Sequence, residues 1–182
     1  MISIKGIKTS LVPIEESDAE AMIRLRNDPA YNRFLFQSTL TVEDQRNWIA
    51  KNKNREGAYN FKVLDLKGEF KGTISIYNIE NKAGEFGRYI VTNPVNAIES
   101  EYLLVKLCFE QLGMERVYCQ TNKENRSVWS QHLKLGFRTV EEKEVIVGSG
   151  AGVPVTAVVQ EITKKDFEQF DYSKIMRLIQ HF

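Results

Sequence analysis

The chain has little of what marks several large functional classes. Two cysteines in 182 residues, Cys108 and Cys119, cannot build a disulfide framework. No His, Cys, Asp and Glu cluster has the short ligand spacings of a zinc site, so no metal is expected. Both cysteines fall in a predicted helix and strand, where they read as small core residues. Neither charge sign dominates: 25 Lys and Arg stand against 24 Asp and Glu, for a net +1. A nucleic-acid or membrane partner is therefore not expected, since strongly biased charge would be its signal. No basic run is interleaved with aromatics as in RNA binders. No apolar run approaches the ~20 residues of a membrane span. The start, Met1-Ile2-Ser3-Ile4-Lys5, lacks the apolar centre of a signal peptide. A reducing, cytoplasmic home is the simplest reading. There is no internal repeat, low-complexity segment or dividing linker. A single domain over residues 1–182 is expected, able to bury roughly 70% of its unfolded surface.

What is present centres on residues 93–137. Leu103, Leu104, Leu107 and Cys108 recur at three- and four-residue intervals, as one face of a helix requires. That helix ends at Leu112-Gly113, where Gly can take a left-handed cap. Residues 114–121 predict a strand with Val117, Cys119 and Thr121 on one face. A turn at 122–125 leads into a second helix that stops at Gly136. A helix that starts after a strand offers unpaired amides and a positive dipole end, a natural anion site, here near residues 96–100.

The rest of the chain reads in order. Residues 8–14 predict a first strand. Ser17-Asp18 signals the cap of a helix that Asp28-Pro29 stops. An aromatic, irregular segment follows at 31–39. Thr41 to Asp44 caps a further helix carrying Trp48, read as core. Strands at 59–66 and 70–77 flank a tight turn at 67–69, and a turn at 81–84 leads into 85–92. The last strand pair, 141–147 and 154–162, is joined by a Gly-rich stretch read as a hairpin tip. The tail at 164–182 reads as a broken amphipathic helix that packs on its own domain or, alternatively, forms a homodimer contact.

Two blocks carry a resemblance. They are Cys108-Phe109-Glu110-Gln111-Leu112-Gly113-Met114-Glu115-Arg116-Val117 and Asn125-Arg126-Ser127-Val128-Trp129-Ser130-Gln131-His132-Leu133-Lys134-Leu135-Gly136-Phe137. Together they resemble the GNAT acyltransferase superfamily, as do Leu25-Arg26-Asn27-Asp28-Pro29 and Glu43-Asp44-Gln45-Arg46-Asn47-Trp48. Among its members the chain is closest to bacterial N-acetyltransferases that act on nucleotide-linked aminosugars. The resemblance implies an α/β (α+β) fold with a mixed, mostly antiparallel central sheet flanked by helices. It also implies acetyl-CoA as co-substrate and a small-molecule amine as acceptor. The superfamily's pyrophosphate loop, Gln/Arg-x-x-Gly-x-Gly/Ala, falls on Thr92, Val95 and Ala97, and only Ala97 fits. Glu99 and Glu101 follow closely, where a carboxylate opposes a phosphate by about a kcal/mol after screening.

The same resemblance implies a set of site residues. His132 takes the place of the usual Tyr general acid, and Glu85 that of a general base. Ile90 and Val91 would pair their backbone with pantetheine. Asn96, Ala97 and Ile98 would hold the diphosphate on main-chain amides, and Asn125 would orient the thiol end. Arg26, Asn27, Phe34, Phe36 and Tyr77 would bound the acceptor. Two other readings remain open: a protein N-terminal acetyltransferase like those that modify ribosomal proteins, and a GNAT-fold binding module that has lost catalysis.

Overall fold

The computed structural model describes residues 2–35, 40–147 and 153–182, so Phe36 and most of the Gly-rich stretch lie outside the described residues. Eight strands form one sheet: β1 (Ile4–Lys5), β2 (Thr9–Pro13), β3 (Tyr59–Asp65), β4 (Phe70–Glu80), β5 (Ala83–Val91), β6 (Arg116–Asn122), β7 (Arg138–Val147) and β8 (Val153–Thr163). Their spatial order is β1-β2-β3-β4-β5-β6-β8-β7. Every neighbouring pair is antiparallel except β5 with β6. The mixed, mostly antiparallel sheet flanked by helices is the expected architecture. The two-residue β1 was not foreseen.

Among the described residues, six helices accompany the sheet: α1 (Ala19–Asn27), α2 (Val42–Asn52), α3 (Pro94–Glu110), α4 (Arg126–Lys134), α5 (Lys164–Gln169) and α6 (Ser173–His181). Thr41 opens α2 through a reciprocal cap with Asp44, as the sequence indicates. The cap of α1 falls on Asp18 as expected, but its side chain makes no bond to the helix. Asp18 instead takes the Glu15 amide at 2.7 Å and closes a single 3-10 turn ahead of α1. Among the described residues, no helix is long and apolar enough to cross a membrane.

The core has two parts because the sheet has two faces. Phe61, Val63, Ile74, Ile76 and Phe86 point to one face and pack on Leu103, Leu104 and Leu107 of α3. The alternate residues point to the other face, under α1 and α2, where a smaller cluster of Ile14, Ala19, Met22 and Ile49 forms. That second face is partly polar, carrying Asn60, Thr73, Ser75, Tyr77 and Glu85.

β5 is bulged where the two faces matter most. Thr73 pairs with Ile90 and Ser75 with Gly87, so β5 holds one extra residue there. Arg88, at φ 49°, takes up the excess. A left-handed conformation is uncommon for Arg, and the Thr73 hydroxyl supports it by donating to the Arg88 carbonyl at 3.0 Å. Gly72 allows the close approach beneath: a Cβ there would lie 2.0 Å from the Ile90 oxygen.

α3 also ties down the first hairpin. Glu99 is 2% exposed and accepts from the amides of Ile7 and Lys8, the latter at 2.9 Å. It therefore faces the β1–β2 turn and not the phosphate loop, which corrects the expected repulsion at that position. Glu99→Ala leaves two amides without their partner and should lower unfolding stability by roughly 2–4 kcal/mol in a urea titration. A midpoint equal to that of the parent protein would show that the carboxylate does not hold the turn.

Candidate active site

The slot begins where a ladder stops. β5 and β6 pair only through Ala83–Arg116, Gly84–Val117 and Glu85–Tyr118. Both strands continue for several residues beyond, each bonded on its other side to β4 or β8. A cleft of about 640 Å³ opens there. One wall is Tyr89, Ile90 and Val91 of β5, with Thr92, Pro94 and Ala97 at its end. Asn125, Ser127 and Gln131, from α4 and its approach, form the opposite wall, and Arg33 and Phe34 border it from the segment after α1. Of the expected cofactor contacts, Ile90, Val91, Ala97 and Asn125 thus line one cleft. β5 presents it with a strand edge that a strand-like ligand can extend.

The start of α3 departs from expectation. The helix begins at Pro94, which has no amide hydrogen. The Asn93 side chain accepts from the amides of Val95 at 2.9 Å and Asn96 at 3.2 Å, and the Asn93 carbonyl accepts from Ala97 at 2.8 Å. The amides that would grip a phosphate are already engaged. The Asn96 side chain is buried and donates to Lys8 O and Thr9 Oγ1, towards β2. Ile98 packs against the main core. Asn96, Ala97 and Ile98 therefore do not form the open amide cradle expected of them.

His132 is not at the cleft surface. It is 1% exposed, with Nδ1 2.7 Å from Glu101 Oε1, and Glu101 is 0% exposed. Its ring sits edge-on to Phe86, with centroids 5.2 Å apart. Burial alone would lower its pKa, but the Glu101 carboxylate and the Cys119 sulfur outweigh burial and push it up to about 10. An enclosed ring that holds its proton so firmly is badly placed to protonate a leaving thiolate in the cleft. Its neighbour Gln131 faces the cleft instead. The Gln131 amide donates to Glu101 Oε2 at 2.8 Å and to the Tyr89 hydroxyl at 2.7 Å. The buried pair thus joins α3, α4 and the cleft wall of β5.

A second cavity, about 330 Å³, lies on the α1–α2 face and shares Ile90 with the cleft. Arg26, Trp48, Thr73 and Arg88 line it. The Arg88 guanidinium lies 5.0 Å from the Trp48 ring centroid and 4.2 Å from that of Tyr77, within cation–π range. It also donates to Asn60 Oδ1 at 2.9 Å. Glu85 stands on the same face at the last β5–β6 pair. It accepts from the Tyr77 hydroxyl at 3.2 Å and from Asn78 Nδ2 at 3.0 Å. Burial, then the Glu85 charge, raises the Tyr77 pKa, so its hydroxyl stays protonated. Arg26 lines this cavity. Glu85 and Tyr77 reach it only through Arg88, Asn27 is exposed at the end of α1, and Phe34 borders the cleft. Arg88 was not foreseen; Trp48, expected in the core, packs on the smaller cluster and also lines this cavity. A second charged residue in β5, three positions after Glu85 and out of step with the alternation, was the available signal for Arg88, whereas the bulge that aims it leaves no trace in sequence. Among the described residues, no group of three or more His, Cys, Asp and Glu could hold a metal.

With this geometry in view, comparison with known proteins is informative. Residues 8–138 match the family model described as an acetyltransferase (GNAT) domain. No curated protein matches the chain. Among solved structures, apo FdhC, a nucleotide-linked sugar GNAT, is 26% identical, with a TM-score of 0.81 and 98% of each chain covered. A GNAT-family acetyltransferase from Bacillus anthracis is 22% identical, with a TM-score of 0.75 over 90% of this chain and 99% of that one. The Vibrio cholerae spermidine N-acetyltransferase in complex with CoA and spermine is 14% identical, with a TM-score of 0.75 over 89% and 99%. The last two likenesses concern the fold alone.

The His132–Glu101 pair has a pH signature. The folded pKa of His132 lies above its ordinary value, so the stability it contributes is complete below about pH 6.5 and is lost as pH rises through about 10. Nitrogen-15 NMR of the imidazole should find both ring nitrogens protonated at about pH 8. A neutral ring there would remove the ion pair.

Proposed function

Because the chain belongs to the GNAT acetyltransferase family, we propose that it acetylates the primary amine of a nucleotide-linked aminosugar, by direct attack and without a covalent enzyme intermediate. Acyl transfer and the acetyl-CoA donor come with the family. The acceptor rests on one observation: the cavity meeting the cleft at Ile90 carries the guanidinium groups of Arg26 and Arg88 beside the Trp48 indole, against the single carboxylate of Asp44, which is engaged in the cap of α2. A polyamine would bring further positive charge there. At an effective dielectric of ~20, two like charges 4 Å apart repel by about 4 kcal/mol. A phosphate-bearing acceptor has the opposite sign and suits the forked donors of Arg, while its rings suit the indole. FdhC, itself a nucleotide-linked sugar GNAT, favours the same reading.

The cleft fits the donor's extended arm through the Ile90 and Val91 main chain, and Asn125 and Ser127 offer polar contacts at its far wall. Acetyl-CoA supplies an activated acetyl thioester. Ile90 marks where the amine and the acyl carbon can meet, since it borders both cavities. The acceptor arrives as an ammonium and must first lose a proton. Glu85, held by Tyr77 and Asn78, takes that proton through water across the polar sheet face. A nitrogen–carbon bond then forms as the carbon–sulfur bond breaks, the sulfur leaves as thiolate, and the second proton shed by the acylated nitrogen ends on that sulfur. Hydrogen bonds from the Asn125 amide, and from the Ser127 hydroxyl that otherwise donates to Asn125 Oδ1, can stabilise the sulfur while it is a thiolate. His132 acts from behind, fixing Gln131 and hence Tyr89.

An amine panel with thiol release as readout should rank a nucleotide-linked aminosugar above the free aminosugar, spermidine and N-terminal peptides. Arg88→Met should raise the acceptor KM about tenfold or more while CoA affinity stays unchanged. Spermidine or a peptide as best acceptor would overturn the assignment. Glu85→Gln should lower kcat about a hundredfold with little change in KM. An unchanged kcat would remove Glu85 as base.

A further inference from the structure

We propose that Arg33 takes over the diphosphate of acetyl-CoA from the start of α3; this rests on the acetyl-CoA reading above. Two independent observations lead to it. First, the usual donors are engaged: Pro94 has no amide hydrogen, and Asn93 occupies the amides of Val95, Asn96 and Ala97. Second, among the described residues lining the cleft, Arg33 alone is charged. No acidic side chain borders that cleft, because Glu99 and Glu101 both point away into buried contacts of their own.

Arg33 is also available. Among the described residues its guanidinium makes no ion pair with a carboxylate. It rests over the Phe34 ring, 5.1 Å from the centroid. An aromatic face orients a planar guanidinium without using its forked N–H donors, which stay free for two phosphate oxygens. Without it, the cleft would offer the diphosphate only neutral polar groups such as Thr92, Asn125 and Ser127. A charge supplied by one exposed side chain, in place of a fixed set of amides, makes the grip dependent on ionic strength.

Isothermal calorimetry with CoA alone tests this without any acceptor or turnover. Arg33→Gln should weaken CoA binding about tenfold or more and flatten its salt dependence, while Arg33→Lys should recover part of the loss. Acetyl-pantetheine, which has the arm but no diphosphate, should bind the parent protein and Arg33→Gln alike. Equal CoA affinity in parent and Arg33→Gln would overturn the assignment and leave the transferase reading intact, as would an equal loss with both ligands. If the parent protein failed to bind CoA, both would fall.

Discussion

The site depends on a parallel ladder that ends after three residue pairs. β5 and β6 are joined from Ala83 to Glu85 and then separate, although each stays bonded to its other neighbour. A separation in the middle of a sheet exposes main-chain donors and acceptors on both sides, which is costly unless water or a ligand meets them. The separation is held open from within. Phe86, Tyr89, His132 and Phe137 fill the wedge behind the cleft as a cluster of tilted rings. Beneath them the Glu101–His132 pair and Gln131 fasten α4 to α3 and β5. Such a pair contributes little net stability against a well-packed apolar substitute, but breaking it leaves an uncompensated buried charge. It therefore acts as a fixed spacer between the two halves of the sheet.

The two glutamates of α3 show how a local sequence pattern misleads. Read as neighbours, Glu99 and Glu101 look like one acidic patch beside the phosphates. Two residues apart on a helix, they point roughly 200° from each other. One turns to the amides of the β1–β2 turn and the other to His132 on α4. Neither charge reaches the cleft, so the objection to cofactor binding that they raised has no basis in the structure. The true departure is less visible. Asn93-Pro94 starts the helix earlier than expected and closes it with an ordinary side-chain cap.

Much of the architecture was legible because it rests on short-range physics. The period of Leu103, Leu104 and Leu107 marks α3, Thr41 and Asp44 mark the start of α2, and Gly113 and Gly136 take the positive φ that their positions suggested. The slot-lining residues Ile90, Val91 and Asn125 were legible through family resemblance, because their place follows from the order of elements. His132 was not. Its spacing from Asn125 puts it on α4, yet the rotation of α4 decides whether a side chain meets the cleft or the core. That rotation is set by Glu101, 31 residues away in sequence. Arg88 was missed for a related reason: the bulge that turns it outwards depends on pairing with β4.

The bulge at Arg88 also explains how the cleft and the second cavity come to share a single strand. A regular strand sends alternate residues to opposite faces and leaves no path between them except at its edge. β5 becomes an edge beyond Glu85, and the extra residue shifts the alternation at the same point. Ile90 consequently borders the cleft on one side and the cavity on the other, with Thr73 bracing the strained segment from β4. The Arg88 side chain, held between two rings, places its guanidinium at that cavity. One inserted residue thus fixes both where β5 meets the cleft and which side chain enters the cavity. A change that removed the bulge would alter both together, because a register shift in β5 moves Arg88 and Ile90 to new faces at once.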